Sequence, residues 1–551
     1  MRKTIIIIII ALVLTCASGV TMQKQVNAQQ IAKTVQARGV WHRPNVSGEE
    51  TTLKGVCSVL DEFAEAGVNM VFVETFFHGM TVYKTNLIQY YKGFEKYDYG
   101  EYPDYLTAFV AEAKKRGIQV HAWVQDFYIG ISEDIQLVKY HPDWLLVAQD
   151  GGIRQTEGKE NGGYIFLDPA NPEVTQYLVD FYDDLLTRVP DVVGLNLDYI
   201  RYPVTSVGDD AGFTSCAMTE FAQQNGIPLS AANSVGDFIS ALNDGNLQQK
   251  WAQYRTEKVT SFVGSVFEMV KQKHPQAMLS TAIFPDMQAT LQSKKQDISR
   301  WLSEGWLDVV TPMVYYEKAS QVQSAVQQLM QLCGECYCYT GLYATYHSQS
   351  PQDMYDQIVA SQNAGADGFV LFDSAKTFFQ NAEDYASVLQ NMPKGAVPHA
   401  LTKQDVSDVL DGVVQAAAGN DAQQIQAFGG EIEGIKALDT VEEMYSRLQL
   451  LYKYNLPQFL DDCTGAERAL APLVRALEVG KIRSEIKGAA QQPDEPDPPD
   501  DPSDTGGEGE DDGTQTEEPK QDDKDWIIIA AAAAVGIAVG AIATYAANKK
   551  R

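Results

Sequence analysis

Cysteine and histidine are both scarce here, 7 of each in 551 residues. A disulfide-stapled exported domain would carry far more cysteine. Cys57, Cys216 and Cys463 are scattered and read as ordinary buried thiols. Cys333, Cys336 and Cys338 cluster, but no fourth ligand lies nearby in sequence. The cluster therefore reads as a core strand entry with room for one disulfide rather than as a zinc site. There is no P-loop, no Gly-x-Ser-x-Gly elbow and no Gly-x-Gly-x-x-Gly fingerprint, so the main expectation is a site without cofactor or metal. Basic residues are few as well. Lys and Arg number 43 against 73 Asp and Glu, for a net charge of −30. That balance argues against nucleic acid or anionic lipid as the main partner.

The two ends carry the targeting signals. Met1-Arg2-Lys3 precedes an apolar stretch from Ile5 to Leu14, and Val26-Asn27-Ala28 offers a small-x-Ala cleavage site before Gln29. Residues 1–28 are thus expected to be a secretory signal that takes Cys16 with it. Residues 527–547 lack charge and are long enough to span a bilayer. Trp526 and Tyr545 lie near the edges, and Lys549-Lys550-Arg551 should stay cytoplasmic. The expectation is a single transmembrane anchor at 526–551, with the body outside a bacterial cell membrane. Between body and anchor, residues 491–525 hold 15 Asp or Glu against 2 Lys, with several Pro and Gly. Such a segment cannot bury enough apolar surface to fold and reads as a self-repelling spacer.

Residues 29–395 alternate short apolar runs with longer helical patterns, which argues for parallel strands and crossover helices. Eight strands are predicted: Ala37–Trp41, Met70–Thr75, Gln119–Trp123, Val193–Leu197, Met278–Ile283, Val309–Met313, Cys336–Leu342 and Gly368–Phe372. The intervening helices include Thr52–Ala66, Tyr105–Arg116, Asn171–Arg188, Thr256–Lys273 and Asp353–Asn363. The pattern is that of a (β/α)8 TIM barrel, with extra length in the loops after strands 2, 3 and 4. Residues 396–490 read as a small all-α region, structural or partner-binding.

Acids recur at or just past the predicted strand ends: Glu74, Asp126, Asp198, Asp286, Glu317 and Asp373. Active sites of such barrels sit on that side. Aromatic residues accompany them, with Trp123, Tyr199, Tyr202 and Tyr315 as candidate stacking platforms for sugar rings. One strand-end carboxylate is more often a helix cap or ion-pair partner. Six around one mouth suit glycosidic chemistry, which needs one carboxylate to protonate the leaving oxygen and another as nucleophile or base. His42, His78, His121 and His347 also sit near the rim, which keeps a metal-dependent hydrolase as a minor alternative.

Several segments resemble the family-10-like glycosyl hydrolases of bacteria. Ala37-Arg38-Gly39-Val40-Trp41 resembles the family's opening strand. Residues 113–123, ending in His121-Ala122-Trp123, resemble its second signature, and His141-Pro142-Asp143-Trp144 and the run from Leu167 to Val174 the next two. Leu197–Pro203 and Trp301–Tyr315 resemble the stretches around strands 4 and 6. The resemblance implies a (β/α)8 glycoside hydrolase of the bacterial envelope, and some relatives are thought to cut peptidoglycan glycan strands stripped of stem peptides. It also implies that Asp198, at the end of strand 4, is the nucleophile or key base. Glu317 is the first choice for general acid, since it follows the strand two steps round from Asp198. Asp286 comes next, then Glu74 and Asp126. Arg201 would hold Asp198 ionised or bind a sugar hydroxyl, and His121 and Asp373 would complete the substrate-binding set. The chain departs from the family pattern at Gln125-Asp126, at Asp198-Tyr199 and at Pro312-Met313-Val314-Tyr315. A non-catalytic glycan-binding envelope scaffold and a hydrolase of dietary or capsular polysaccharide are the alternatives.

Overall fold

A computed structural model describes residues 33–44, 48–94, 97–203, 210–343, 349–380 and 384–488. The predicted signal, acidic spacer and anchor lie outside the described residues, as does His347. Among the described residues, no helix is long and apolar enough to cross a membrane.

Eight parallel strands close into a barrel: β1 (Ala37–His42), β2 (Met70–Phe77), β3 (Gln119–Gln125), β4 (Gly194–Asp198), β5 (Met278–Ile283), β6 (Val309–Pro312), β7 (Tyr337–Tyr343) and β8 (Gly368–Phe372). Each pairs in parallel with its neighbours in sequence order, and β1 pairs with both β2 and β8 to close the ring. β1 and β5 are buried along their whole length, as expected of strands covered on both faces. The helices that follow the strands are α1 (Leu53–Glu65), α2 (Tyr105–Lys115), α3 (Pro172–Arg188), α4 (Gln248–Lys273), α5 (Ile298–Ser303), α6 (Ala319–Met330), α7 (Pro351–Asn363) and α8 (Tyr385–Gln390).

Local sequence explains the helix limits. Thr52 caps α1 by accepting from the Gly55 N–H, and Asp104 caps α2 through the Thr107 N–H. Gly67 and Gly117, just past these two helices, have φ of 78° and 70°, a conformation glycine adopts without steric cost. Asn171 caps α3, whose first residue is Pro172.

Side chains fill the barrel interior. Trp41 Nε1 donates to Asn196 Oδ1 at 3.2 Å, and Asn196 Nδ2 donates to Ser280 Oγ at 2.9 Å. Trp41 needs the space left by Gly341, where an added Cβ would stand 2.9 Å from the indole. Two predicted loops contain structure of their own. The excess after strand 4 folds into helices Ser215–Asn225 and Val235–Asp244, which enclose a small core around Phe213, Phe221, Phe238 and Trp251. After strand 3, Tyr128–Gly130 pairs antiparallel with Ile165–Phe166. The cysteine reading also changes. Cys216 is exposed and Cys57 and Cys463 are half-buried, while Cys333, Cys336 and Cys338 are buried free thiols before and within β7.

The helical region comprises α9 (Lys403–Ala416), α10 (Ala422–Lys436), α11 (Val441–Leu450) and α12 (Thr464–Gly488), with a short helix before α12. It packs against the N-terminal ends of the strands and belongs to the same compact unit as the barrel. Buried ion pairs fix it there. Arg483 Nε meets Asp308 Oδ1 at 2.8 Å and Lys487 Nζ meets Asp308 Oδ2 at 2.9 Å. Arg475 grips Asp367 and also donates to the carbonyls of Cys333 and Cys336. Removing one partner of such a pair strands a charge in low dielectric. Asp308→Ala should therefore lower unfolding stability by about 3–5 kcal/mol in chemical denaturation. The same truncation at exposed Glu304 should stay within about 0.5 kcal/mol of the parent.

Candidate active site

Strand parity sets the site. Alternate residues of a strand face opposite sides, so Trp123 and Gln125 of β3 share the inward face. Each reaches a carboxylate on a neighbouring strand. Trp123 Nε1 donates to Asp198 Oδ2 on β4 at 3.0 Å, and Gln125 Nε2 donates to Glu74 Oε1 on β2 at 2.7 Å. The second oxygen of Asp198 accepts the Tyr199 N–H at 2.7 Å. Tyr199 holds that N–H in place with φ of 52°, a strained conformation for a non-glycine residue, of the kind concentrated at functional sites.

Arg43, one residue past β1, joins the strands on the other side. Its Nε donates to Glu74 Oε1 at 3.2 Å, and its Nη1 lies 3.5 Å from Asp373 Oδ2. The guanidinium stands 5.1 Å from the Trp123 ring and 5.2 Å from that of Phe372, within cation–π range. Tyr315, Tyr343 and Phe372 form an aromatic wall from the sixth to eighth strands, with centroids 5.3–5.7 Å apart. On the far side, Arg201 donates from Nη1 and Nη2 to the two Glu157 carboxylate oxygens at 2.8 Å each and lies 4.6 Å from the Tyr199 ring.

Asp198, Glu74, Asp373, Tyr199, Arg201 and Tyr315 thus gather at the C-terminal mouth, with Trp123 beneath them. Trp123 is only 2 % exposed, so it supports Asp198 and cannot serve as a stacking platform. The other predicted residues stand elsewhere. Tyr202 is also 2 % exposed and faces Arg255. His121 lies fully buried in the lower barrel, 5.0 Å from Phe72 and 5.7 Å from His399. Asp126 follows inward Gln125 and so points outward, where Tyr182 of α3 donates to it at 2.6 Å. Asp286 is exposed and caps helix Met287–Lys294 through the Ala289 N–H. Glu317 is exposed, five residues past β6, and its carbonyl accepts from Gln349 and Gln357. Sequence reasoning missed Arg43 and Glu157. Only the position of Arg43, directly after a strand end, could have signalled it.

The electrostatics follow from burial. Removal from water pushes the carboxyls of Asp198 and Glu74 above the usual carboxylate range. For Asp198 the Tyr199 and Trp123 N–H groups oppose that rise, followed by the charges of Arg201 and Arg43. For Glu74 the opposition comes from Arg43, while Asp198 adds to the rise. Burial raises Asp126 as well, and its Oδ2 has no partner among the described residues. Burial also lowers His121 to about 3, leaving it a neutral core residue. A cavity of about 620 Å³ opens at the opposite face beside Gln119, Val193 and His274, but it holds none of the mouth carboxylates.

Residues 36–341 match the glycosyl hydrolase-like 10 family. Glycosyl hydrolase DigH of Escherichia coli O6:H1 is 20 % identical over 280 residues, covering 47 % of this chain and 56 % of the relative. The protein of the same name from Shigella flexneri matches to the same extent. The chain thus spans about half the length of these curated relatives. Among solved structures, a β-galactosidase from Marinomonas ef1 aligns at 12 % identity and a TM-score of 0.45, covering 71 % of this chain and 61 % of that one. An endo-1,4-β-D-mannanase from Thermotoga petrophila aligns at 10 % identity and 0.40, covering 64 % and 98 %.

The Trp123–Asp198 bond makes a measurable prediction. A hydrogen bond to the charged form favours that form, so losing it raises the pKa. Trp123→Phe should shift the Asp198 carboxyl titration upward by about 0.5–1 pH unit in ¹³C NMR. An unchanged or lower midpoint would contradict the bond.

Proposed function

The chain belongs to the glycosyl hydrolase-like 10 family, and on that premise we propose that it is a glycoside hydrolase whose working carboxylates are Asp198 and Glu74. The observation that carries this reading is the pairing through β3, where two inward side chains of one strand hold two carboxylates on its flanks. Adjacent strands lie about 4.8 Å apart, so the two backbones are separated by about 10 Å. Side chains reaching inward from that spacing suit the carboxyl separations used in glycoside hydrolysis, from about 5 to 9.5 Å.

The roles follow from the surroundings. Asp198 accepts an N–H on each oxygen, and the charges of Arg201 and Arg43 favour its ionised form. It is the better anion and serves as nucleophile or base. Among the described residues Glu74 takes its two hydrogen bonds on Oε1, which leaves Oε2 to carry a proton. It replaces Glu317 and Asp286 as general acid. Glu74 gives that proton to the leaving oxygen as the glycosidic C–O bond breaks. Asp198 then either bonds the anomeric carbon or takes a proton from the attacking water. Tyr199 and the Tyr315–Tyr343–Phe372 wall offer partly exposed rings for the sugar. We further propose a cell-wall glycan as substrate and a body tethered outside the membrane by residues 526–551. The signal-like and anchor-like sequence patterns support the tether, and the family resemblance supports the substrate.

Asp198→Asn and Glu74→Gln should each lower the release of reducing ends by at least about 100-fold, while Glu317→Gln should stay within a few-fold of wild type. The assay uses glycan strands stripped of peptides alongside a panel of dietary and capsular polysaccharides. Release from the panel alone would reassign the substrate. Inert wild-type protein that still binds glycan would make the barrel a binding scaffold.

A further inference from the structure

We propose that Arg43 is a positioning residue for Glu74, placing its carboxyl beside the Asp198 site and controlling its proton through charge. The inference rests on the reading of Glu74 as the acid.

Arg43 is the first residue after β1, and its side chain is 46 % exposed at the mouth. One guanidinium contacts four site side chains from three strands and the residue after the eighth. It bonds Glu74 of β2, pairs with Asp373, and lies against the rings of both Trp123 on β3 and Phe372 on β8. The two rings restrict the plane of the guanidinium, and a fixed guanidinium fixes the oxygen it bonds. Gln125 donates to that same Oε1 from the opposite side. Glu74 is therefore held by two donors on one oxygen, with the other left for chemistry.

The charge balance makes the arginine consequential. With Glu157 matched by Arg201, the mouth has three acids, Glu74, Asp198 and Asp373, and Arg43 between two of them. The charged and titratable groups around Glu74 are Arg43 and His42 from the first strand and its end, Asp198 from the fourth, and Asp373 beyond the eighth. Tyr128 and His78 stand at the rim. His42 is occupied, with Glu50 at 2.8 Å and Ser374 at 2.8 Å. Of the charges acting on Glu74, that of Arg43 is the largest, and it favours the ionised form. Asp198 works in the other direction. Without Arg43, Glu74 would hold its proton to higher pH, and the alkaline limb of any activity profile that needs protonated Glu74 would move up.

The test is a difference-infrared pH titration of the full chain. The protonated-carboxyl band of Glu74 is identified by its loss in Glu74→Gln. In Arg43→Met the midpoint should rise by about one pH unit or more, since an opposite charge at this range shifts a carboxylate by about 1–3 units. Arg43→Lys, which keeps the charge, should restore most of the wild-type midpoint. On a cleaved glycan, the alkaline limb of kcat/KM should move the same way in Arg43→Met. A midpoint unchanged or lowered in Arg43→Met, with a native circular dichroism spectrum, overturns the proposal. A midpoint that rises in a protein whose wild type cleaves nothing leaves the Arg43–Glu74 coupling standing and overturns the hydrolase reading instead.

Discussion

Three acids meet at a barrel mouth where Arg43 bridges two of them, and the surrounding protein removes much of the water that would screen them. Burial there favours the protonated forms of Glu74 and Asp198, and the charge of Asp198 adds to the effect on Glu74. The acid and base roles proposed for Glu74 and Asp198 come from that constraint. Asp198 receives N–H groups on both oxygens, whereas Glu74 receives them on one. Nearly equivalent carboxyls thereby become different, which is the condition two-carboxylate chemistry requires.

The scaffold holds this imbalance by separating its tasks. Between the mouth and the floor, Trp41, Asn196 and Ser280 fill the barrel interior with hydrogen-bonded side chains. At the floor, α12 locks onto the strand starts through Asp308 and Asp367. The mouth can then carry strain at Tyr199 and repulsion between acids, while packing and neutralised ion pairs lie further down. The Glu157–Arg201 pair extends this order into the long loop after β3, joining its tip to the residues just beyond β4.

Much of this was legible in the sequence. All eight strands and their order follow from alternating apolar runs, and the limits of α1, α2 and α3 follow from Thr52, Asp104, Asn171 and Pro172. Asp198 was identifiable because its strand ends on it. The other acids were harder because proximity to a strand end does not give the facing. Gln125 and Asp126 are adjacent, yet parity sends one into the site and the other to Tyr182. A one-residue error in the strand end reverses that assignment. Asp286 and Glu317 lie beyond their strands, where the chain has turned and local capping or exposure decides their fate. Arg43 had no periodic signal, and its partners on β2, β3 and the β8 end are distant in sequence. The helical insert after β4 was hidden by a polar segment that builds its own small core.

The most direct measurement is a crystal structure of the Asp198→Asn protein with a bound oligosaccharide of wall glycan. A sugar ring should lie against Tyr199 or the Tyr315–Phe372 wall, its glycosidic oxygen within hydrogen-bond reach of Glu74 and its anomeric carbon facing position 198. A glycan seated with its scissile bond at Glu317 or Asp286, or bound only outside the mouth, would contradict it.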